Sequence, residues 1–93
     1  MIMEINFMTQ IWQEGEMYVA YAPELDISSC GKTPREAQKN LREAAELFLE
    51  ETAKMGTLKE ILEESGFIRE KNDQKIRWQP PKIISTERER VVV

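Results

Sequence analysis

A chain of 93 residues, 41% hydrophobic and 32% charged, has the composition of a single globular domain and is too short for two hydrophobic cores. It holds no histidine and one cysteine, which excludes Ser-His and Cys-His nucleophilic machinery, histidine-ligated zinc and an internal disulfide, and makes a reducing cytoplasm the expected location. The net charge of −4 is uneven, with 6 Lys/Arg against 13 Asp/Glu in residues 1–66 (net −7) and 7 against 4 in residues 67–93 (net +3), so the body of the chain repels a nucleic-acid backbone.

The opening "MIMEINFM" lacks the basic segment and long apolar stretch of a signal peptide, and no apolar run approaches the ~20 residues of a membrane span. Met3, Ile5, Phe7, Thr9 and Ile11 alternate with Glu4 and Asn6, the period of a strand with one wetter face. "QEGE" at 13–16 supplies a turn into a second strand, Met17 to Ala22, which makes a hairpin. Pro23 stops that strand, and Ile27 to Cys30 completes a meander.

Thr33-Pro34-Arg35-Glu36 is a capping box with proline at the first helical position. Ala37, Leu41, Ala44, Ala45, Phe48, Thr52 and Met55 then recur at helical spacing and predict a stripe that lies on the sheet. Gly56 is a stop. A second box, Thr57-Leu58-Lys59-Glu60, predicts a short helix ended by Gly66, with Phe67 and Ile68 folding back to close it. "REKNDQK" at 69–75 reads as a solvated loop, "IRWQPPKII" as an extended edge segment, and "ERERVVV" as a terminal strand. The expected fold is α+β: an antiparallel β-meander backed by the 34–55 helix, a short second helix, and a C-terminal strand from about Ile83. Residues 1–93 form one domain, with a core over 1–68 and a loop and extended tail over 69–93. The terminal "VVV" invites strand pairing, so a homodimer or higher homo-oligomer is expected.

"SSCGKT" at 28–33 has the look of reactive or phosphate-binding equipment. A phosphate-binding loop needs its first glycine five residues before Gly31, where this chain has Asp26. Gly31 reads instead as a turn glycine with positive φ, and Thr33 as a helix cap. Cys30, without a histidine or second cysteine, reads as a buried or half-buried strand residue. Ser28 and Ser29 lack a base. Glu4, Glu24 and Asp26 are the carboxylates that a magnesium-dependent nuclease would use, but their spacing is not that of a metal site, and no metal or cofactor is expected. Of Trp12, Tyr18, Tyr21 and Trp78, at least two should pack against the helices and the others can form a recognition surface. The basic residues after 67, among them Lys75 and Arg77, read as protection of an exposed strand edge, with contact to RNA as the alternative.

The stretch "YVAYAPELDISSCGKTPREAQKNLREAAELFLEE" resembles the HicB antitoxin family. That family's pattern is a strand, Pro-Glu/Asp-Leu, a short strand, Gly-x-Thr, and Glu-Ala opening a long helix. Here those positions are Pro23, Glu24, Leu25, Gly31, Thr33, Glu36 and Ala37, with Leu41, Ala44 and Leu47 following. The resemblance covers residues 2–55. It implies a degenerate ribonuclease H-like fold without catalytic carboxylates, and a non-enzymatic role in a type II toxin–antitoxin pair. The partner would be a small basic HicA-like toxin, an mRNA-cleaving nuclease with a catalytic histidine, inhibited by occlusion of its active site. An acidic body suits such a partner, with Glu24 and Asp26 as charge contacts and Trp12 as an apolar anchor. The 27 residues after Gly66 fit neither a helix-turn-helix nor a ribbon-helix-helix, so direct DNA binding is not expected. An orphan self-associating regulatory or scaffold module is the alternative, and a metal-dependent nuclease using Glu4, Glu24 and Asp26 a further one.

Overall fold

The alternating N-terminal segment does not make one strand. In the computed structural model, which describes residues 2–93, it divides into β1 (Ile2–Ile5) and β2 (Gln10–Glu14), which belong to different sheets. The remaining elements are β3 (Met17–Ala22), β4 (Ile27–Gly31), α1 (Pro34–Met55), α2 (Leu58–Glu64), β5 (Ile68–Lys71) and β6 (Lys75–Gln79). β2, β3 and β4 form the expected antiparallel meander, and β1, β6 and β5 form a second, mixed sheet in that order. The fold is therefore α+β, with two sheets where one was expected. Alternation of period two fixes which side chains share a face but not which strand lies alongside, so the break was invisible to it.

At the break the backbone finds other partners. The Asn6 N–H donates to the Trp78 carbonyl at 3.0 Å, extending the parallel β1–β6 ladder by one bond. Two residues on, the Met8 N–H donates to Glu24 Oε1 at 3.2 Å. That bond ties the chain between the two sheets to the loop after β3.

The segment 69–75 is a hairpin, not a loop. Ile68 to Lys71 pair with Ile76 to Gln79, and Asn72 closes the turn, its side-chain oxygen accepting the N–H groups of Gln74 (3.0 Å) and Lys75 (2.9 Å). β6 is consequently the central strand of its sheet, with β1 on one side and β5 on the other, which corrects the edge assignment of "IRWQ". Pro80 and Pro81 come only where that strand ends. Two residues without N–H groups and with φ fixed cannot continue a ladder. The strand expected from Ile83 onward is not formed: residues 80–93 carry no regular structure and leave Ile83, Ile84 and the three terminal valines exposed.

α1 begins as the capping box requires, with Thr33 Oγ1 accepting the Glu36 N–H at 3.0 Å. The reciprocal bond lands one residue earlier than usual, from the Lys32 N–H to Glu36 Oε1 at 3.3 Å. Gly56, at φ 78°, ends the helix, and the Gly56 and Thr57 N–H groups close onto the Ala53 and Thr52 carbonyls. Thr57 is thus occupied in closing α1 and makes no side-chain cap for α2, so the second capping box does not form. Gly66 ends α2 with the Phe67 N–H on the Leu62 carbonyl at 2.9 Å. Phe67 folds back and is buried, while Ile68 is exposed as the first residue of β5.

α1 lies across β4 and β3, and small residues let it come close. Ala20 and Ala22 of β3 are fully buried with Ala37, Leu41 and Ala45 of α1. Ala44 and Phe48 are half-buried and Met55 is exposed, so the buried stripe is narrower than predicted. Gly31 shows the closeness best. A Cβ there would stand 2.6 Å from the Ala37 nitrogen and 2.9 Å from two Glu36 carbons. Its φ is not among the positive ones, so the corner needs glycine for space and not, as the sequence suggested, for a left-handed turn. Leu58, Leu62, Phe67 and Trp78 extend the same core beneath α2. Among the described residues no helix is long and apolar enough to cross a membrane.

Candidate functional site

A single helix covers one face of a three-stranded sheet and leaves the other bare. The register places Trp12, Val19 and Cys30 in one row, Gln10, Tyr21 and Ser28 in the next, and Glu14 opposite Met17 in a third. Since Ala20 and Ala22 face α1, strand alternation puts these rows on the uncovered face. Trp12 keeps 40% of its surface exposed there. Its ring meets that of Tyr21 edge to face, with centroids 6.1 Å apart and planes at 70°, the geometry the ring quadrupoles favour.

Both aromatic polar atoms are tied to carboxylates. Trp12 Nε1 donates to Glu14 Oε1 at 2.9 Å, and the Tyr21 hydroxyl donates to Asp26 Oδ1 at 2.9 Å. Asp26 reaches back over the sheet because it takes a left-handed φ of 53° after the tight turn at Pro23, where the Leu25 and Asp26 N–H groups bond the Ala22 and Pro23 carbonyls. Aspartate is among the few residues that tolerate that conformation. The hydrogen bond to Asp26, then partial burial and the Asp26 charge, raise the Tyr21 pKa above its usual 10.0. The result is an apolar, aromatic centre with carboxylates at its rim and no Lys or Arg among its strand positions.

Of the three residues expected to contact a partner, the structure brings two together. Trp12 and Asp26 share this face through Tyr21. Glu24 does not join them, because it holds the β1–β2 break: one oxygen accepts the Met8 N–H, and the other is buried without a hydrogen-bond partner. Glu14 was missed, although it stands two residues from Trp12, the spacing that puts strand residues on one face. Trp78 and Tyr18 pack in or against the core, as expected of two of the four aromatics. Cys30 is exposed on the bare face, not buried, because β4 turns Ser29 and Gly31 toward the helix and Cys30 away.

The carboxylates of the nuclease alternative are dispersed. Glu4 accepts from Lys75, from Arg77 Nε at 2.9 Å and from Asn6 at 2.9 Å. Those bonds, that from Lys75 foremost, lower its pKa from 4.5 to about 2. Asp26 serves Tyr21 and Glu24 serves Met8, and among the described residues no three His, Cys, Asp or Glu side chains gather as metal ligands. Lys75 and Arg77 are accordingly counter-ions of Glu4 on a central strand and do not guard an edge.

A second concavity, a groove of about 880 Å³, runs between β1 and α1 past Ile5, Phe7 and Leu49. Its walls mix Arg35, Lys39 and Arg42 with Glu46 and Glu50, and Arg42 pairs with Glu46 at 3.1 Å. Charges of both signs partly cancel there and give the groove no field of one sign. The bare sheet face carries one sign and an aromatic anchor, and is the candidate site. Comparison with family models, curated proteins and solved structures finds no match to this chain.

Proposed function

We propose that the chain is a non-catalytic binding module of the HicB antitoxin type, built on a degenerate ribonuclease H-like meander and helix, which docks a small basic HicA-like ribonuclease on the uncovered face of β2–β3–β4. The observation that carries this reading is the composition of that face: Trp12, Val19 and Tyr21 at the centre, Glu14 and Asp26 at the rim, and no cation at its strand positions. Aromatic anchors ringed by charge of one sign are what a basic partner fits. Inhibition then follows from occlusion of the partner's active site and needs no chemistry from this chain.

The test is affinity purification from the native host, followed by reconstitution with the recovered partner. A small, basic, histidine-containing ribonuclease at equal stoichiometry, silenced on adding this chain, is the expected result. Its affinity should fall at least roughly tenfold with Trp12→Ala and become less salt-dependent with Asp26→Lys. A ribonuclease that binds both variants as tightly as the parent would move the site off this face. Recovery of this chain alone would favour a module without a toxin.

A further inference from the structure

We propose that the chain forms a two-fold dimer by antiparallel pairing of β2 with the β2 of a second copy, centred on Trp12. The sheets have four outer edges, and three are guarded in ways that prevent pairing. At β4, Asn40 Nδ2 donates to the Cys30 carbonyl at 2.9 Å. β5 carries Arg69, Glu70 and Lys71. β1 is four residues long, and a short edge offers little to pair with. β2 has no such device: it is exposed at all five positions, with no lysine, proline or bulge. It also ends the longest uncharged run of the chain, the nine residues 5–13, in a sequence that is 32% charged.

The bonding pattern shows which groups are free. Glu14 and Met17 flank the two-residue turn at Gly15 and Glu16 and are its closing hydrogen-bonded pair. Bonded pairs alternate from there, so Trp12 and Gln10 turn their N–H and C=O groups to β3 while Ile11 and Gln13 turn theirs outward. No other hydrogen bond among the described residues uses those backbone groups. A two-fold axis at Trp12 sets Ile11 against the partner's Gln13, so that the outward groups meet each other. It sets Glu14 against the partner's Gln10, so no like charges are opposed. Trp12 and the partner's Trp12 then form a non-bonded pair, where side chains approach most closely. Tyr21, Trp12 and their counterparts make one aromatic row across the joint. The pairing uses the backbone edge of β2 and shares Trp12 with the face proposed above, while Val19, Tyr21 and Asp26 of that face stay uncovered; because it needs no toxin, it stands or falls separately from that function.

The test is light scattering with sedimentation over roughly 1–200 μM, on the full chain and four variants. Gln13→Pro removes an outward donor and no bond to β3, and should weaken the dimer by about tenfold or more. Ile84→Lys/Val92→Lys, which alters the exposed C-terminal arm, should dimerise as the parent does. Trp12→Cys in a Cys30→Ser background should oxidise to a single disulfide-linked dimer, while Met17→Cys in the same background should not, which reads the register even where Gln13→Pro disturbs folding. A parent that stays monomeric throughout overturns the proposal. So does a dimer abolished by the arm variant, or a position 12 thiol that fails to cross-link.

Discussion

Gly31→Ala tests the claim that space, not φ, requires glycine at the strand-to-helix corner. The new methyl would meet the Ala37 nitrogen at 2.6 Å and the Glu36 carbonyl carbon and Cβ at 2.9 Å. These are backbone or near-backbone atoms of the first turn of α1, which cannot swing aside as a flexible side chain would. The helix must shift, and Ala37, Leu41 and Ala45 shift with it off Ala20 and Ala22. Overpacking of this kind costs typically 1–3 kcal/mol, and the closeness argues for about 3 kcal/mol. Stability for a chain this size is about 5–14 kcal/mol, so the loss is a large part of it. With a urea slope of roughly 1 kcal/mol/M, the unfolding midpoint should fall by about 3 M at unchanged slope. Gly56→Ala is the control: its φ of 78° is left-handed, but a methyl there meets nothing within 4 Å, so only the conformational term of about 1–2 kcal/mol applies. The refuting result is a Gly31→Ala midpoint at or above that of Gly56→Ala, for then φ and not proximity would govern both positions.

Glu4, lowered from 4.5 to about 2 by Lys75 and Asn6, contributes stability that is complete above pH 4.5 and lost as pH falls toward 2. Urea midpoints of the parent should therefore drop across that window while those of Glu4→Gln, lower at pH 6, change less. Parallel curves would show that Glu4 is not the group responsible. Tyr21 is raised by the bond to Asp26, so its contribution is present below pH 10 and lost as the phenol ionises above it. Ultraviolet titration should show Asp26→Asn bringing that ionisation down toward 10, and a coincident titration would break the assignment. Glu24→Ala hands the exposed Met8 N–H to water, which should cost about 0.5–1.5 kcal/mol and speed exchange of that amide, with partner affinity unaltered. Loss of affinity at full stability would instead make Glu24 a contact.

What the sequence made legible was local. The helix α1 announces itself through Thr33, Pro34, Glu36 and Gly56, each acting within a turn of its own position, and the meander through short strands set off by Gly15 and Pro23. What stayed hidden was non-local. β1 pairs in parallel with a strand some seventy residues away, and nothing in "MEIN" names "KIRW" as its neighbour. Lys75 looked like part of a solvated loop and Arg77 like the guard of an edge, because Glu4, which neutralises both, comes from the other end of the chain. The site divides the same way. Trp12 and Asp26 were visible as candidates, but their joining through Tyr21 depends on the left-handed backbone at Asp26. Glu24 and Asp26 are two residues apart and chemically alike, and only the fold shows that one pins the chain and the other faces outward.

The break at residues 6–9 also accounts for the bare face. By leaving the second sheet to pair with β3, the chain builds a meander that α1 alone must cover, because α2 packs with Phe67 and Trp78 on the other part of the core. One helix covers one face. The face left over keeps Trp12 at 40% exposure, roughly 100 Å² of ring whose removal from water contributes about 2.5 kcal/mol. That is nearly two powers of ten in an association constant, held outside the folding equilibrium of the monomer. The bonds to Glu14 and Asp26 fix both rings in advance, so covering them costs little side-chain entropy. A face so disposed contributes nothing further to the lone chain and a sizeable, pre-organised increment to a complex, and this is the physical reason for placing the protein's work there.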